Sequence, residues 1–403
     1  MKILQICNKP PFPPQDGGSI GMHNVTQGLI DLGHKVKVFS VNTSKHFVDI
    51  NQLPKDYVKN TKLEFGFVDT NIKAFDALSN LIFSNRSYNI TRFEDADFKA
   101  KLISILQKET FDIVQIESIF LNYYIDTIRN HSDAKIVLRA PNVEFIIWER
   151  MAKEESNPLK KQYLKILAKR LKKEELACLN RFDAIYTVTQ NDMDIFKSHG
   201  CNVPMEFVPT GIDVTKDLII DMNTIEYPSI FHIGALDWMP NQEGLSWFLE
   251  NIWSKLTKDF PKLKFYIAGR GDASWFDAAK YPNVVLLGEI EDAAQFIKSK
   301  AIMIVPLFSG SGMRVKIIEG MSLGKAIVST SIGIEGIIHA DKENVLIANK
   351  AEEYKNAIVS LLENKNYFEK ICKNARQSAK ENYGNTALTK KLISFLEEVK
   401  SRH

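Results

Sequence analysis

The residues with the clearest chemical potential are Arg314, Lys316 and Glu319, which follow the glycine-containing loop SGSG at 309–312. A strand-like apolar run precedes this loop, and a helix-like segment that stops at Gly324 follows it. The start of a helix offers unpaired N–H groups and a positive potential, which suit a phosphate group. Two cations in a first helical turn oppose the helix dipole, and a bound pyrophosphate would reverse that sign. Glu319, one turn further on, could accept hydrogen bonds from both hydroxyls of a ribose.

A plainer interpretation of the same segment stays open. Glycine loops occur in many folds, so 305–330 also fits a strand–helix–strand crossover with a solvated arginine and lysine. His23 and His232 are interpreted as packed or surface imidazoles in preference to site residues.

Composition excludes several classes of protein. The 403 residues are 45% hydrophobic and 25% charged, which is ordinary for a globular protein of two or three domains. A net charge of +3 gives no reason to expect a nucleic-acid partner. The four cysteines are scattered, which predicts no zinc site and favours a reducing compartment. Neither a signal-peptide core nor a membrane-spanning run is recognisable, so we expect a cytoplasmic protein.

Short apolar runs alternate with helix-like stretches along the chain, which predicts β-α-β units and parallel sheets covered on both faces. The first series of predicted strands lies at 2–7, 35–41, 63–68, 111–117, 135–140 and 182–189. The second series lies at 229–234, 264–269, 284–288, 301–307, 326–330 and 345–348. A polar stretch at 211–227 is predicted as the linker between two open α/β domains with a cleft between them. Helices are predicted at 22–32, 351–362, 367–383 and 386–399. In such folds ligands bind beyond the carboxyl ends of the strands.

The stretch 305–330 resembles the donor-nucleotide loop of GT-B glycosyltransferases of family four. Glu319 matches the second acid of that family's E-x7-E pattern, and GKAIV at 324–328 matches the tail that follows. Ser311 stands where the family has its first Glu. An R-x-K-x-x-E helix combined with WMPN at 238–241 fits one subgroup of the family best.

Further motifs match the family in the right order. They are PPFPPQDGGSIGM at 10–22, VPTGID at 208–213, IGALDW at 233–238, AGRGD at 268–272 and GEI at 288–290. The resemblance implies that Arg314, Lys316 and Glu319 serve catalysis. It implies that the donor is bound by Gly17, Gly18, Gly234, Arg270, Gly271, Ile290, Ser311, Gly312 and Met313.

The resemblance also implies the architecture and the reaction. It predicts a GT-B fold of the α/β class, with two Rossmann-like domains facing a central cleft. Residues 1–211 would bind the acceptor, 212–384 would bind the nucleotide sugar, and a helix within 385–403 would return to the first domain. The implied reaction is transfer of a sugar, with retention of configuration, to a saccharide or lipid-linked acceptor, in bacterial surface polysaccharide synthesis. No cofactor and no metal are expected, because the cations near the helix start replace a metal.

On the acceptor side, Glu117, Asn142 and Glu144 are the candidates. RAPNVE at 139–144 follows a predicted strand and resembles the family's H-N-x-E stretch, with Pro141 in place of the histidine. Glu117 ends another predicted strand. Both acids equally fit solvated loop carboxylates or a glutamate at a helix start.

The basic stretch 160–173 has an apolar and a cationic stripe at helical spacing. It fits a core-packed helix with a solvated face. It also fits a surface that meets anionic lipid or a lipid-linked pyrophosphate, which would place the protein peripherally at the inner face of the cell membrane.

Two other functions stay open at this point. A non-catalytic two-domain sugar-binding protein would share the architecture, but it has no need for Arg314 and Lys316. A nucleotide-sugar epimerase could use the same fold. No predicted strand is followed by a clear G-x-G-x-x-G, which argues against an oxidoreductase.

Overall fold

Parallel sheets form the centre of both halves of the chain. The computed structural model describes residues 1–214, 224–310 and 312–402. The chain divides into two compact units, which we call unit 1 (Met1–Gly211 and Asn385–His403) and unit 2 (Ile212–Gly384). Each unit has its own sheet and its own buried apolar clusters, and each is described by itself.

Unit 1 is built on one parallel sheet. In its described part the strands are β1 (Lys2–Cys7), β2 (Lys35–Asn42), β3 (Glu64–Phe67), β4 (Ile113–Glu117), β5 (Lys135–Ala140), β6 (Ala184–Thr187) and β7 (Met205–Phe207). Their order is β3-β2-β1-β4-β5-β6-β7, and each neighbouring pair is parallel. Strand β7 was not predicted, because this three-residue edge strand is only half-buried and lacks an apolar run.

Alternate residues of the central strands enter the two cores of unit 1. In β1, Leu4 and Ile6 belong to one apolar cluster, whereas Ile3 and Cys7 belong to the other. Both faces of the sheet are therefore covered, which is why the strand sequences are almost continuously apolar rather than alternating.

Helices cover these faces. Up to the end of β7 they are α1 (Gly17–Asp31), α2 (Lys55–Thr61), α3 (Ala74–Phe83), α4 (Tyr88–Thr91), α5 (Ala96–Lys108), α6 (Ile125–His131), α7 (Glu144–Glu154), α8 (Pro158–Leu179) and α9 (Gln190–Ser198). Short 3-10 turns add Ile50–Gln52 and Ile119–Tyr124. Helix α1 begins five residues before its predicted start, because Asp16 caps it: the Asp16 carboxylate accepts from the Ser19 N–H, and the Ser19 hydroxyl accepts from the Asp16 N–H. It ends before Gly33, whose φ is 83°.

Unit 2 repeats this construction. Its described strands are β8 (Glu226–Ile233), β9 (Lys264–Ala268), β10 (Val284–Gly288), β11 (Lys300–Val305), β12 (Ala326–Ser329) and β13 (Leu346–Ile347). Their order is β10-β9-β8-β11-β12-β13, again parallel throughout. Ile302 and Ile304 of β11 enter one core cluster, and Met303 and Val305 enter the other.

The predicted linker 211–227 was too long at its C-terminal end. Strand β8 begins at Glu226 and contains Pro228, although proline donates no ladder hydrogen bond. Pro228 lies where the pairing of β8 with β11 shifts register, between Glu226 opposite Lys300 and Ile230 opposite Ile302. The irregularity accommodates the missing donor. The middle of the predicted linker, 215–223, lies outside the described residues.

The helices of unit 2 flank its sheet. Those in the described ranges are α10 (Met239–Phe248), α11 (Ser254–Asp259), α12 (Ala293–Ser299), α13 (Val315–Ser322), α14 (Ala351–Glu363) and α15 (Lys365–Tyr383). A π-helical turn, Leu249–Trp253, joins α10 to α11, and a 3-10 turn occupies Ala278–Lys280.

The last helix, α16 (Asn385–Ser401), packs on unit 1. Leu392 and Leu396 enter the same apolar cluster as α1. Gly28 of α1 allows the close approach, because a Cβ there would lie 2.2 Å from Thr389 Oγ1. The side chain of Asn385 donates to the Asn24 carbonyl over 3.0 Å. These contacts attach the end of the chain to its first helix. Among the described residues, no helix is both long and apolar enough to cross a membrane.

Candidate active site

The reversal of strand order in unit 2 marks the place where its loops diverge. From β8 the chain continues to β9 on one side, whereas β11 is followed by β12 on the other side. The loops after β8 and β11 therefore lead away from each other, and a crevice forms at the carboxyl ends of the two strands. Gly234 follows β8, and Arg314 lies at the end of the loop after β11.

The loop after β11 requires glycine and carries a buried arginine. Gly310 has a φ of 104° and Gly312 a φ of 80°, a region that side chains disfavour. A Cβ on Gly310 would lie 3.2 Å from the Trp238 ring. Arg314 is the N-cap of α13, and its guanidinium donates to the Gly312 carbonyl and lies 5.8 Å from the centroid of Trp238. The arginine is thus held between its own loop and the loop after β8. Ser311 lies outside the described residues.

Lys316 lies close to the backbone of Gly234, which has no side chain. Its Nζ donates to Asn241 Oδ1 over 3.2 Å. A Cβ on Gly234 would lie 3.0 Å from Lys316 Nζ, 2.9 Å from Asn241 Nδ2 and 3.4 Å from His232 Nε2. The absence of a side chain at position 234 therefore leaves room for the lysine beside the carboxyl end of β8.

Burial disfavours the ionised forms of Lys316 and Glu319 at this site. Burial, and then the nearby Arg314 charge, lower the pKa of Lys316 to about 7. Burial raises the pKa of Glu319 to about 7. Burial and the Lys316 charge also hold the pKa of His232 well below its usual value, so this imidazole is neutral. His232 Nδ1 contacts the Ile304 carbonyl at 3.1 Å, whereas its buried Nε2 has no hydrogen-bond partner in the described part of the chain. The site thus holds, at the start of a helix, an arginine and a nearby lysine that is only partly protonated near neutral pH.

The loop after β9 joins the same site. Gly271 has a φ of 98°, and a Cβ there would lie 2.6 Å from Asp237 Cγ. The Arg270 carbonyl accepts from the Leu236 N–H over 2.7 Å. The loops that carry Gly234, Arg270, Gly271, Gly312 and Arg314 are therefore connected through direct contacts.

Two of the predicted donor residues have apolar side chains that pack on the core of unit 2. Ile290 follows β10, the edge strand, and is partly buried against the same apolar cluster as Met313. Both side chains therefore support the core of unit 2, and any contact with the donor would come from their backbone.

In unit 1, the predicted Gly17 and Gly18 form the first turn of α1. Lys9 Nζ lies 2.7 Å from both carboxylate oxygens of Asp16. Burial by itself would raise the pKa of Asp16, but the Lys9 ammonium outweighs it and lowers this pKa to about 2. A Cβ on Gly18 would lie 3.1 Å from Lys9 Nζ, so glycine makes room for the ion pair.

Glu117 is part of a closed buried network. Only 1% of the residue is exposed. Its carboxylate accepts from Gln5 over 2.7 Å and from Gln115 over 2.6 Å, and it pairs with the buried Arg139 at 3.0 Å. Because both oxygens are engaged, contact with an acceptor would require breaking the ion pair. The structure therefore favours a role in stability for Glu117, and it excludes the solvated carboxylate considered above.

Asn142 and Glu144 lie together at the start of α7, with Asn142 Nδ2 3.2 Å from Glu144 Oε1. Burial raises the pKa of Glu144 to about 7. Glu175 of α8 accepts the backbone N–H groups of Glu144 and Phe145 over 3.0 and 2.9 Å, which caps α7. Burial, and then the Glu144 charge, raise the pKa of Glu175 to about 8. Glu144 is thus almost fully buried rather than solvated.

Comparison with known proteins identifies the family. Residues 15–216 match the model described as Glycosyltransferase Family 4, and residues 227–364 match that described as Glycosyl transferases group 1. The chain belongs to glycosyltransferase family 4. This membership decides for a transferase over a non-catalytic sugar-binding protein or an epimerase.

Three proteins similar to this glycosyltransferase each cover at least 95% of its chain. An uncharacterized 44.6 kDa protein in the cps region of Klebsiella pneumoniae is 23% identical over 397 residues, which are 95% of this chain and 96% of that protein. HepE of Anabaena, solved in complex with UDP, has a TM-score of 0.66 at 13% identity and covers 99% of this chain and 100% of its own. Sucrose-phosphate synthase of Thermosynechococcus elongatus has a TM-score of 0.70 at 12% identity and covers 99% of both chains. The fold is GT-B, with two Rossmann-like domains.

Sequence analysis assigned no site role to four residues of the glycosyltransferase that the structure places at or beside the candidate sites. Trp238 and Asn241 were recognised only as part of the WMPN motif, and the structure shows that they contact Arg314 and Lys316. His232 was interpreted only as a packed imidazole. Glu175 follows Leu167 and Leu171 at four-residue spacing, which placed a carboxylate on an apolar stripe.

Proposed function

We propose that this glycosyltransferase moves a sugar from a UDP- or GDP-linked donor to a saccharide or lipid-linked acceptor in the assembly of a bacterial surface polysaccharide. The proposal rests mainly on the position of Arg314 and Lys316, which lie close to the backbone of Gly234, where there is no side chain. The similarity to HepE, solved with UDP and with UDP-glucose, supports a nucleotide-sugar donor. The relative in a cps region supports polysaccharide synthesis.

The donor diphosphate is proposed to lie at the start of α13. As the bond between the anomeric carbon and the phosphate oxygen breaks, its electron pair stays on the diphosphate. Arg314, Lys316 and the helix N–H groups stabilise the growing negative charge more strongly in the transition state than before it. Glu319 is proposed to accept hydrogen bonds from the ribose hydroxyls.

The new bond forms between the acceptor hydroxyl oxygen and the anomeric carbon, with retention of configuration. The departing phosphate takes the proton of that hydroxyl, so no protein base is assigned. The proposed reaction uses no metal, because two protein cations and a helix start supply the positive charge that a metal would otherwise bring. Transfer that persists after treatment with EDTA is the expected outcome, and loss of transfer that Mg²⁺ or Mn²⁺ restores would refute this part.

Unit 1 is proposed to bind the acceptor through Asn142 and Glu144, which follow the carboxyl end of β5 in the chain. A lipid-linked acceptor calls for contact with a membrane, for which the basic segment 160–173 remains the proposed region. Such a protein would work in the cytoplasm, at the inner face of the cell membrane.

The donor site can be tested directly. A thermal-shift panel of UDP, GDP, ADP and their sugars identifies the donor class, since a ligand stabilises the form that it binds. We expect Arg314→Ala and Lys316→Ala each to lower kcat/KM by about tenfold to a thousandfold, as for loss of one charge-stabilising group. Lys350→Ala, at a position with 82% of the side chain exposed, is the matched control and should keep wild-type turnover. Near wild-type turnover in both site variants would refute the assignment.

A further inference from the structure

Helix α3 of unit 1 turns its bulky apolar side chains toward solvent. Phe75, Leu78 and Ile82 recur at spacings of three and four residues and therefore form one stripe. Their exposed fractions are 81%, 55% and 62%, and Phe83 at the end of the helix is 85% exposed. No residue of α3 is buried. Single exposed apolar residues are normal on a protein surface, but a contiguous stripe of this kind marks a contact surface.

The opposite face of α3 explains this orientation. Ala77 packs against the cluster formed by Leu164 and Leu167 of α8. Ala77 and the half-buried Leu81 face inward, whereas Phe75, Leu78 and Ile82 face outward, so most of the large apolar side chains of α3 lie on its exposed face. Burial in the core of unit 1 is therefore not what selects the apolar residues of α3.

Helix α8 lies beside α3 and supplies positive charge. Arg170 donates to the carbonyl groups of Asn80 and Leu81 over 3.0 and 2.9 Å, which attaches the end of α3 to α8. The segment 160–173 contains seven basic residues and no acidic residue.

Within this segment, Lys165, Lys169 and Lys173 are exposed, recur every four residues and form no ion pair in the described ranges. Leu164, Leu167 and Leu171 of α8 are buried in unit 1, whereas Leu159 at its start is 85% exposed. Beyond its first turn, α8 therefore presents charge rather than an apolar stripe to a surface.

We propose that α3 lies in the interface of an anionic bilayer, with Phe75, Leu78 and Ile82 among the acyl chains. The lysine row of α8 then meets the lipid phosphates. An apolar stripe alone would also suit a second copy of this chain or another protein. The adjacent lysines, which pair with no acid in the described part of the chain, favour the anionic lipid surface. The inference deepens the proposed membrane contact by moving the inserting element from 160–173 to α3, and it rests on that part of the proposed function.

The acidic residues near the stripe do not cancel this charge. Asp69 pairs with Lys73 at 2.9 Å just before α3, and Asp76 lies on α3 itself. Segment 69–86 has two acidic and two basic residues, so its net charge is zero. The positive charge of α8 therefore decides the sign of the combined surface.

The test is vesicle co-sedimentation of the full chain, with phosphatidylcholine vesicles with or without phosphatidylglycerol. Wild type should bind the anionic vesicles, and added salt should weaken the binding. The triple variant Phe75→Ser/Leu78→Ser/Ile82→Ser should lower the affinity tenfold or more. Its matched control, Leu287→Ser/Ile338→Ser, removes exposed apolar residues of unit 2 and should bind as wild type.

A second set of variants tests the charge. Each lysine near an anionic surface contributes about fivefold in affinity, so replacing Lys165, Lys169 and Lys173 by Gln should weaken binding by roughly a hundredfold. Gln at the exposed positions 262, 370 and 373 of unit 2 is the charge-matched control and should change binding little.

Three outcomes would overturn the inference. In the first, the wild type binds neither kind of vesicle. In the second, the α3 triple variant binds vesicles as well as the wild type does. In the third, the wild type binds no vesicles but forms a dimer, and the triple variant is monomeric. The thermal shift of each variant with a nucleotide sugar is measured in parallel. Because the donor site lies in unit 2, an unchanged shift separates failure of the membrane contact from failure of the donor assignment.

Discussion

Donor binding to unit 2 should take up protons above pH 7 and release them below it. In the free protein the pKa values of Lys316 and Glu319 are both about 7. Above pH 7 Lys316 is mostly neutral, and a diphosphate beside it restores the charge by raising its pKa. Below pH 7 Glu319 is mostly protonated, and ribose hydroxyls that donate to its carboxylate favour the ionised form. Lys316 therefore takes up a proton on donor binding, whereas Glu319 releases one.

The magnitudes follow from the two pKa values. At pH 8 a group with a pKa of about 7 is roughly nine-tenths deprotonated, so recharging Lys316 takes up about 0.9 proton. At pH 6 Glu319 is roughly nine-tenths protonated, so its ionisation releases up to about 0.9 proton. Above pH 7 the affinity should fall by up to about tenfold per pH unit, because each binding event requires a proton. His232 does not contribute, since its pKa is held well below this range.

Isothermal titration calorimetry in buffers of different ionisation enthalpy measures the number of protons. The ligand should be a nucleotide sugar, because its diphosphate is esterified at both ends and does not titrate near neutrality. Lys316→Met should abolish the uptake at pH 8, and Glu319→Gln should abolish the release at pH 6. Uptake that persists in Lys316→Met, or the same sign at both pH values in wild type, would refute the reasoning.

Three further predictions concern stability and packing. Lys316→Met should raise the free energy of unfolding at pH 7 by about 2 kcal/mol in a urea titration, after allowance for solvent screening of this partly exposed side chain, and an unchanged midpoint would contradict this. Because the lysine binds its proton more strongly in the unfolded chain, the gain in stability should be largest below pH 7 and should fade as the pH approaches 10.5. Arg139→Met should lower that free energy by about 3–5 kcal/mol, because it leaves the Glu117 carboxylate buried and unpaired, and Arg139→Met/Glu117→Gln should recover part of the loss; an equal loss in both variants would argue against the ion pair. Gly234→Ala should weaken nucleotide-sugar binding about tenfold or more, because the new methyl group displaces Lys316 Nζ, and wild-type affinity in calorimetry would show that the lysine is not needed there.

The central strands and the glycine loops were predictable from local patterns. Strands buried on both faces, such as β1 and β11, have continuous apolar runs, and these were recognised close to their true bounds. The loop before α13 was recognised from its glycines and cations. The half-buried β7 and the start of β8 at Glu226 had no comparable signal, because tertiary pairing placed them in the sheets against their local preference.

The candidate site was predictable in its residue types but not in its contacts. That Arg314 and Lys316 follow a glycine loop was visible in the chain. Their contacts with Trp238 and Asn241, about 75 residues away, arise only when β8 and β11 become neighbours in the sheet.

Whether a charged or apolar side chain is buried depends on the whole fold. This explains the remaining residues for which the structure differs from the sequence-based expectation. A glutamate at a strand end has the same local sequence pattern whether it is solvated or paired. Only the tertiary packing shows that Glu117 is buried in an ion pair with Arg139. Likewise, an apolar stripe such as that of α3 has the same periodicity whether it faces the core or the solvent. Periodicity and turn chemistry act between near neighbours and can be recognised locally, whereas solvent exposure and pKa depend on residues that are distant in the chain.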